Sequence, residues 1–368
     1  MTYLVGEKIK MYLKTVKVSV ITVVYNGANT LEQTIQSVLN QNYPDLEYII
    51  IDGNSIDGTQ DIIRRYQSKI AYWVSEPDSG IYDAMNKGIQ KATGEIIGII
   101  NSDDWYEQDA IKKIIQMYRE TNADMLYGEI KKVNSDGENL GYTKDSVIPM
   151  HPAMFVKRNI YQLYGGFVTK YRISGDHELK LRLLSKGVSI AHTNDLIANF
   201  RVTGISNTEL KKRLRETYEI ELNYSERGLS VLPAKQVINE KYKKEMFLCC
   251  LRENSAEICD ILQNEITEFE KGILIWGTGV WGRKLLPIFA KADVPLWFTD
   301  NNKEKWGETV EDVSIVPTEV CRTFEGTIII AVLNSQGEIE EQIRKEFRSD
   351  AKIITLDAIK EEVLRKNL

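Results

Sequence analysis

Short β-branched runs alternate with helical stretches along the first part of this 368-residue chain, and that alternation restricts the fold more than any other feature. Val18–Val24 is almost wholly apolar, as suits a strand buried on both faces. Asn26-Gly27 reads as a turn and Thr30-x-x-Gln33 as a capping box, ahead of Leu31, Ile35, Val38 and Leu39 at helical spacing. Residues 48–51, 71–75 and 95–100 read as further strands, separated by a helix through Ile62, Ile63 and Tyr66 and another over residues 81–92. Strands joined through helices pair in parallel, so an α/β, doubly wound, mostly parallel sheet is expected. Beyond Asp109 the pattern loosens into a helix through Ile111, Ile114, Ile115 and Tyr118, then strands near Met125, Met154 and Ile197. A polar stretch at 134–141 and a helix at 177–186 fall among them, and residues 207–269 are charged and helical in pattern.

A second strand–helix series begins at residues 272–276, which run straight into Gly277-Thr278-Gly279-Val280-Trp281-Gly282 and a helix. The strand at 295–299 ends before Asp300, and strands follow at 327–332 and 352–355. The expected organisation is a first domain at 1–225, a helical linker at 226–270 and a smaller Rossmann-like βαβ domain at 271–368. A net charge of -6 argues against nucleic acid as a partner, but not against a small anion, since a bound cation supplies positive charge locally. Cys249, Cys250, Cys259 and Cys321 lack metal-ligand spacing and read as buried small hydrophobes. No run has the length of a membrane span and no signal-peptide core is evident, so a soluble, cytoplasmic protein is expected.

Polar residues stand directly after each of the first strands: Tyr25-Asn26, Asp52, Glu76 to Asp78, and Ser102-Asp103-Asp104. Ligands of open parallel sheets bind outside those carboxyl ends. Turn formation accounts for Asn26-Gly27 and Asp57-Gly58. It accounts less well for Asp103-Asp104, because adjacent carboxylates repel unless a cation or solvent separates them. Such a pair suits Mg²⁺ or Mn²⁺, which takes one or two carboxylates and completes its shell with water and phosphate oxygens. The implied chemistry is metal-assisted transfer from a nucleoside diphosphate, with the transferred group left open.

Five segments in order resemble the nucleotide-binding half of the family-2 glycosyltransferases, which have the GT-A fold. They are Val18-Ser-Val-Ile-Thr-Val-Val-Tyr-Asn26, Ile51-Asp-Gly-Asn-Ser-Ile-Asp-Gly-Thr59, Ser75 to Gly88, Ala92-Thr-Gly-Glu95 and Asn101-Ser-Asp-Asp104. The likeness is to the branch that builds bacterial surface polysaccharides. It implies a nucleotide-sugar donor, a UDP-sugar by preference, and a glycan or lipid-linked glycan acceptor. It also implies a divalent metal, and leaves room for contact with the inner membrane face and for a homo-oligomer. Residue by residue, Thr22, Tyr25 and Asn26 would lie at the base and Asp52 would accept from a base N–H. Asn86, Ser102 and Asp103 would hold the ribose and phosphate region, and Asp104 would ligate the metal. Asp78, Tyr82 and Asp83 lie near the same cleft, where capping and packing explain them as well.

Gly165-Gly-Phe167 and Ser174-Gly-Asp-His-Glu-Leu-Lys-Leu-Arg182 resemble the acceptor-side segment, which implies Asp176 as catalytic base and places His151 toward the acceptor. A helix N-cap is the other role open to Asp176. Val23, Ser102, Gly175 and Met85 depart from the family pattern, at places where a proline, an acid, a second acid and an arginine are common. In the second domain Gly277, Gly279 and Gly282 suit a phosphate cradle and Asp300 a ribose contact, though no tyrosine or histidine is present there for oxidoreductase work. Two other functions fit parts of the pattern. Nucleotidyl transfer to a sugar phosphate would want a glycine-rich, arginine-bearing loop after the first strand, and a nucleotide-binding scaffold would not need Asp104 and Asp176.

Overall fold

All seven residues of β1 (Val18–Val24) are buried, and the strand bonds in parallel to β2 (Leu46–Asp52) on one side and β4 (Ile96–Asn101) on the other. These relations come from a computed structural model that describes residues 15–143, 149–204, 208–252, 258, 271–290, 294–332, 334–347, 349 and 351–367. The chain divides into two compact units between Lys235 and Gln236.

In the first unit a nine-stranded sheet runs β3-β2-β1-β4-β8-β6-β9-β5, with β7 paired to β6. Its further strands are β3 (Tyr72–Ser75), β5 (Trp105–Tyr106), β6 (Met125–Val133), β7 (Asn139–Tyr142), β8 (Met154–Lys157) and β9 (Ile190–Arg201). The parallel part is as expected; β8 enters antiparallel to both β4 and β6. The polar stretch at 134–141 turns into β7, and β5 is a two-residue strand that sequence patterning missed.

Strand alternation sends β1 side chains to two layers. Val18, Val20 and Val24 join the cluster of α1 (Leu31–Leu39), α2 (Thr59–Tyr66) and α4 (Ala110–Thr121), while Ile21 and Val23 join that of α3 (Ile81–Lys91), α5 (Arg158–Tyr164) and α6 (Gly175–Ser185). Thr30 makes no side-chain cap bond; instead the backbone N–H groups of Thr30 and Leu31 donate to the Gly27 carbonyl. Two further helices follow, α7 (Leu210–Glu226) and α8 (Lys235–Arg252).

The second unit has a six-stranded sheet in the order β12-β13-β11-β10-β14-β15, parallel except for the β12–β13 pair. Its strands are β10 (Ile273–Trp276), β11 (Leu296–Thr299), β12 (Thr309–Val310), β13 (Val313–Val316), β14 (Thr327–Ile330) and β15 (Lys352–Thr355). Helices α9 (Val280–Ala290), α10 (Gln336–Lys345) and α11 (Leu356–Asn367) accompany them. α8, which falls within the stretch expected to link the two domains, packs with this unit, Phe247 stacking on Trp281. Residues 253–257 and 259–270 of that linker, Cys259 among them, lie outside the described residues. No described helix is long and apolar enough to cross a membrane.

Candidate active site

The polar clusters do collect at the carboxyl edge of β1 to β4, but their side chains do unequal things. Thr22 shares the face of Val20 and Val24, is wholly buried and accepts from the Tyr48 hydroxyl, so it does not reach the cleft. Asp52 is also buried; the Ser55 N–H and hydroxyl and the Ser75 hydroxyl occupy its carboxylate. Through Ser55, which accepts from the Asn26 N–H, Asp52 braces the turn after β1. Asn26 takes a left-handed φ of 51° and its side chain accepts from Ile56 N, again a bracing role. Tyr25 remains exposed. A Cβ on Gly53 would stand 2.6 Å from Asp78 Oδ2 and 3.4 Å from Tyr25 Cδ2, so an aromatic face and an accessible carboxylate meet over bare backbone. Asp78 Oδ1 accepts from the Gly80 N–H, while its Oδ2 lies over the Gly53 backbone beside Tyr25.

The acidic pair follows β4. Asp104 is wholly buried: its Oδ1 accepts from the Arg201 N–H at 2.9 Å, and its Oδ2 has no hydrogen-bond partner. Among the described residues Asn101 Oδ1 and Asn199 Oδ1 are likewise buried acceptors without a donor, and Arg201 Nε is a buried donor without an acceptor. Burial, then the charge of Asp103, push the Asp104 carboxyl well above its ordinary 3.8 against the pull of Arg201. Burial raises Asp103 too, with Arg201 again opposing. Unpaired hard oxygens beside raised carboxyls fit a divalent cation. Among the described residues no third Asp, Glu, His or Cys completes a group of three around an ion, so water and phosphate would fill the remaining positions.

One face of α1 holds the acidic loop in place. Thr34 and Ser37, at i and i+3, bond the carbonyl of Asp104 and the N–H of Tyr106, and Gln41 just past the helix end bonds the carbonyl of Glu107. Ser102 contributes its carbonyl to Thr34, and its hydroxyl lies near Gly27.

Asp176 lies in the first turn of α6, next to Gly175 at the helix start, and does not cap the helix. Glu216 of α7 accepts the N–H groups of Ile173 and Ser174 just ahead of it. Asp176 Oδ2 accepts from Lys180 Nζ at 2.8 Å, and its Oδ1 lies 3.1 Å from the Tyr82 hydroxyl. That hydroxyl is 2.6 Å from the Ile173 carbonyl and has only one proton, so Oδ1 keeps open lone pairs. Burial works against the charge, but Lys180 and then His151 outweigh it and hold the carboxyl well below the usual range. His151 is buried edge-on to Phe167 with Nε2 unpartnered, and burial pushes it down to about 4 against Asp176, so it is neutral at working pH. Asn86 is committed elsewhere: its amide donates to the Phe167 carbonyl and accepts the Phe167 N–H, tying α3 to the acceptor-side loop. Because Tyr82 opens α3 at the carboxyl edge, its contact with Asp176 brings that residue to the same edge as the nucleotide floor.

Comparison with known proteins covers this region. The profile of Glycosyl transferase family 2 matches residues 19–179, from β1 through Asp176. The uncharacterized glycosyltransferase MT1564 of Mycobacterium tuberculosis is 30% identical over 213 residues, which span 52% of this chain and 77% of that protein. The chain belongs to glycosyl transferase family 2. The putative teichuronic acid biosynthesis glycosyltransferase TuaG of Bacillus subtilis is 29% identical over 218 residues, 55% of this chain and 85% of that protein. Among solved structures, S. aureus TarS 1-349 in complex with UDP-GlcNAc aligns with a TM-score of 0.49 at 17% identity, over 62% of this chain and 71% of that one. Residues 269–354 match the family described as C2185-like, N-terminal.

Sequence reasoning missed one residue of this glycosyltransferase altogether, Arg201. Besides its N–H bond to Asp104, its guanidinium donates to the Asp103 carbonyl at 2.7 Å and to Gln33, and lies over the Trp105 ring. No motif announces it, since β9 and β4 meet only through the fold. Arg201→Met should leave the acidic loop short of a buried donor and cost about 1–3 kcal/mol, read in thermal melts of the metal-free enzyme.

In the second unit the glycine loop is tight where expected: Gly277 has φ 110°, and a Cβ on Gly282 would lie 2.0 Å from the Gly277 carbonyl oxygen. Gly279 faces open space. Asp300, however, is occupied by the protein itself. The Thr278 N–H and hydroxyl and Lys305 Nζ bond one oxygen, and the Asn302 N–H bonds the other. Burial opposes, but these bonds outweigh it and hold Asp300 at about 2. Its stabilisation is therefore in force above the ordinary carboxylate range and is lost as pH falls through about 2. Thr278→Val should remove about 1.5–3 kcal/mol from this unit, seen as an earlier denaturant transition.

Proposed function

We propose that this glycosyltransferase moves a sugar from a UDP-sugar to a hydroxyl of a glycan or lipid-linked glycan, with inversion, in the assembly of a surface polysaccharide. The observation that carries the proposal is the shared edge. Tyr25, Gly53 and Asp78, which we read as a base floor, and the buried Asp103-Asp104 pair follow β1 to β4, and Tyr82 at the start of α3 contacts Asp176, whose Oδ1 keeps a free lone pair. An Asp78 carboxylate over the floor suits the N–H of uracil. The surface-polysaccharide setting draws on the similarity to TuaG, a putative teichuronic acid biosynthesis glycosyltransferase.

Asp104, with Asp103, would hold a Mg²⁺ or Mn²⁺ ion, which when bound supplies neutralising charge to the departing diphosphate. The protein's own step is a proton transfer. As the acceptor oxygen forms its bond to the anomeric carbon, its proton passes to Asp176 Oδ1 and the bond to the nucleoside diphosphate breaks. A single displacement of this kind inverts the anomeric centre. We assign the second unit an accessory role beside a catalytic domain at 1–225, because Asp300 is already satisfied by Thr278, Asn302 and Lys305.

The test is incubation with UDP-, GDP- and dTDP-sugars and Mn²⁺, following nucleoside diphosphate. Release of UDP from a UDP-sugar in step with acceptor consumption is expected. Pyrophosphate release would point to nucleotidyl transfer instead, and preference for a GDP- or dTDP-sugar would overturn the uridine assignment.

A further inference from the structure

Helix α6 is packed on two sides: Leu179 and Leu183 enter one apolar cluster and Leu181 another. Lys180 stands between them with only 7% of its side chain exposed. An apolar side chain would fill such a position without the cost of desolvating an ammonium group. The lysine instead sends its ammonium to Asp176 Oδ2, at 2.8 Å and one helical turn away.

We propose that Lys180 is a positioning residue for the base: it holds Asp176 Oδ2 so that Oδ1 alone faces the acceptor hydroxyl, and keeps the carboxylate ionised. This deepens the assignment of Asp176 as base and rests on it. The two carboxylate oxygens then have separate duties. Oδ2 is fixed by Lys180, while Oδ1 shares the single Tyr82 hydroxyl proton with the Ile173 carbonyl and so keeps a free lone pair. Without its fixed oxygen the carboxylate could rotate and present either face to Tyr82.

The other groups around Asp176 do not supply this function. His177, on the same helix, faces Glu221 of α7 at 3.4 Å. Tyr82 of α3 donates to the Ile173 carbonyl, and Glu216 of α7 is taken by the backbone N–H groups of residues 172–174. His151, from the turn before β8, is held down to about 4 by burial and adds a favourable charge only where it is protonated, while Lys180 is the cation hydrogen-bonded to Asp176. Lys180 carries a price in basicity, because a carboxylate held this firmly in its charged form takes a proton less readily. The return is a base that stays ionised at every pH where the enzyme works.

The experiment is isotope-edited NMR of the aspartate carboxyl carbons in the full chain, with the Asp176 signal assigned by its loss in Asp176→Asn. In the wild type that signal should stay in its ionised position as pH falls through about 4, the ordinary aspartate range. In Lys180→Met, and in Lys180→Gln, it should titrate at higher pH, and Lys180→Arg should restore the wild-type behaviour. Turnover of the UDP-sugar gives a second readout: the ratio of variant to wild-type kcat/KM, in which effects of Asp103 and Asp104 cancel. That ratio should fall by about tenfold per pH unit on the acid side for Met and Gln, and stay flat for Arg. A wild-type Asp176 signal that titrates in the ordinary range would overturn the proposal without any variant. So would a flat ratio for Lys180→Met, or an arginine that fails to restore. Asp176→Asn retaining transfer would sink the base assignment, a different result from any of these.

Discussion

Asp104→Asn is expected to raise the melting temperature of the metal-free enzyme while abolishing its metal-dependent turnover. In the wild type the folded carboxyl is raised above its ordinary 3.8, so the folded state binds a proton more readily than the unfolded chain. Stability of the metal-free protein therefore falls as pH rises from the ordinary value through the raised one. Asparagine removes the charge while its carbonyl still accepts from the Arg201 N–H. A gain of about 1–3 kcal/mol is expected, or about 2–4 °C per kcal/mol for a domain of this size. The same change removes an anionic ligand, and the loss of several kcal/mol of charge stabilisation corresponds to about a hundredfold or more in rate at 1.4 kcal/mol per factor of ten. Adding Mn²⁺ and UDP should raise the melting temperature of the wild type and not of the variant. A variant that melts lower than wild type without metal would show that Asp104 is paired in solution.

Asp176→Asn should lower transfer by about 10²–10⁴, the usual contribution of a positioned general base, with donor binding unchanged in a UDP titration. It should also destabilise the fold by about 3–5 kcal/mol, because Lys180 would be left buried without its counter-charge. The double variant Asp176→Asn, Lys180→Met separates the two effects: stability should return and transfer should not. Recovery of transfer in the double variant would mean that Asp176 acts only by holding the fold. The lowered Asp176 carboxyl also fixes a pH sign: its stabilising contribution is in force above the ordinary value and is lost only as pH falls through the lowered one.

Much of this site is local enough to read in the chain. The runs that became β1, β2, β3 and β4, and the polar residues directly after them, follow from periodicity and turn chemistry, and the acid pair stands out through its own repulsion. Asp176 with Lys180 also sits at an i, i+4 spacing, although nothing in the sequence says that the lysine is buried. Thr22 and Asp52 were legible as positions but not as roles. Whether a side chain at a strand end meets ligand or core depends on which face it takes and what the next loop offers it. Asp52 bonds to Ser55, in the loop after β2, and to Ser75, at the end of β3.

Composition and pattern determined the parallel sheet, its ligand edge and the acid pair, because those depend on neighbours within a few residues. Tertiary structure decided the rest: Arg201 against Asp104 across 97 positions, Asn86 against Phe167 across 81, and Tyr82 against Asp176 across 94. Hydrogen bonds and burial between segments so far apart have no signature in local spacing. They exist only once the strands have paired and the helices have closed over them, which is when an oxygen is either satisfied or left free to react.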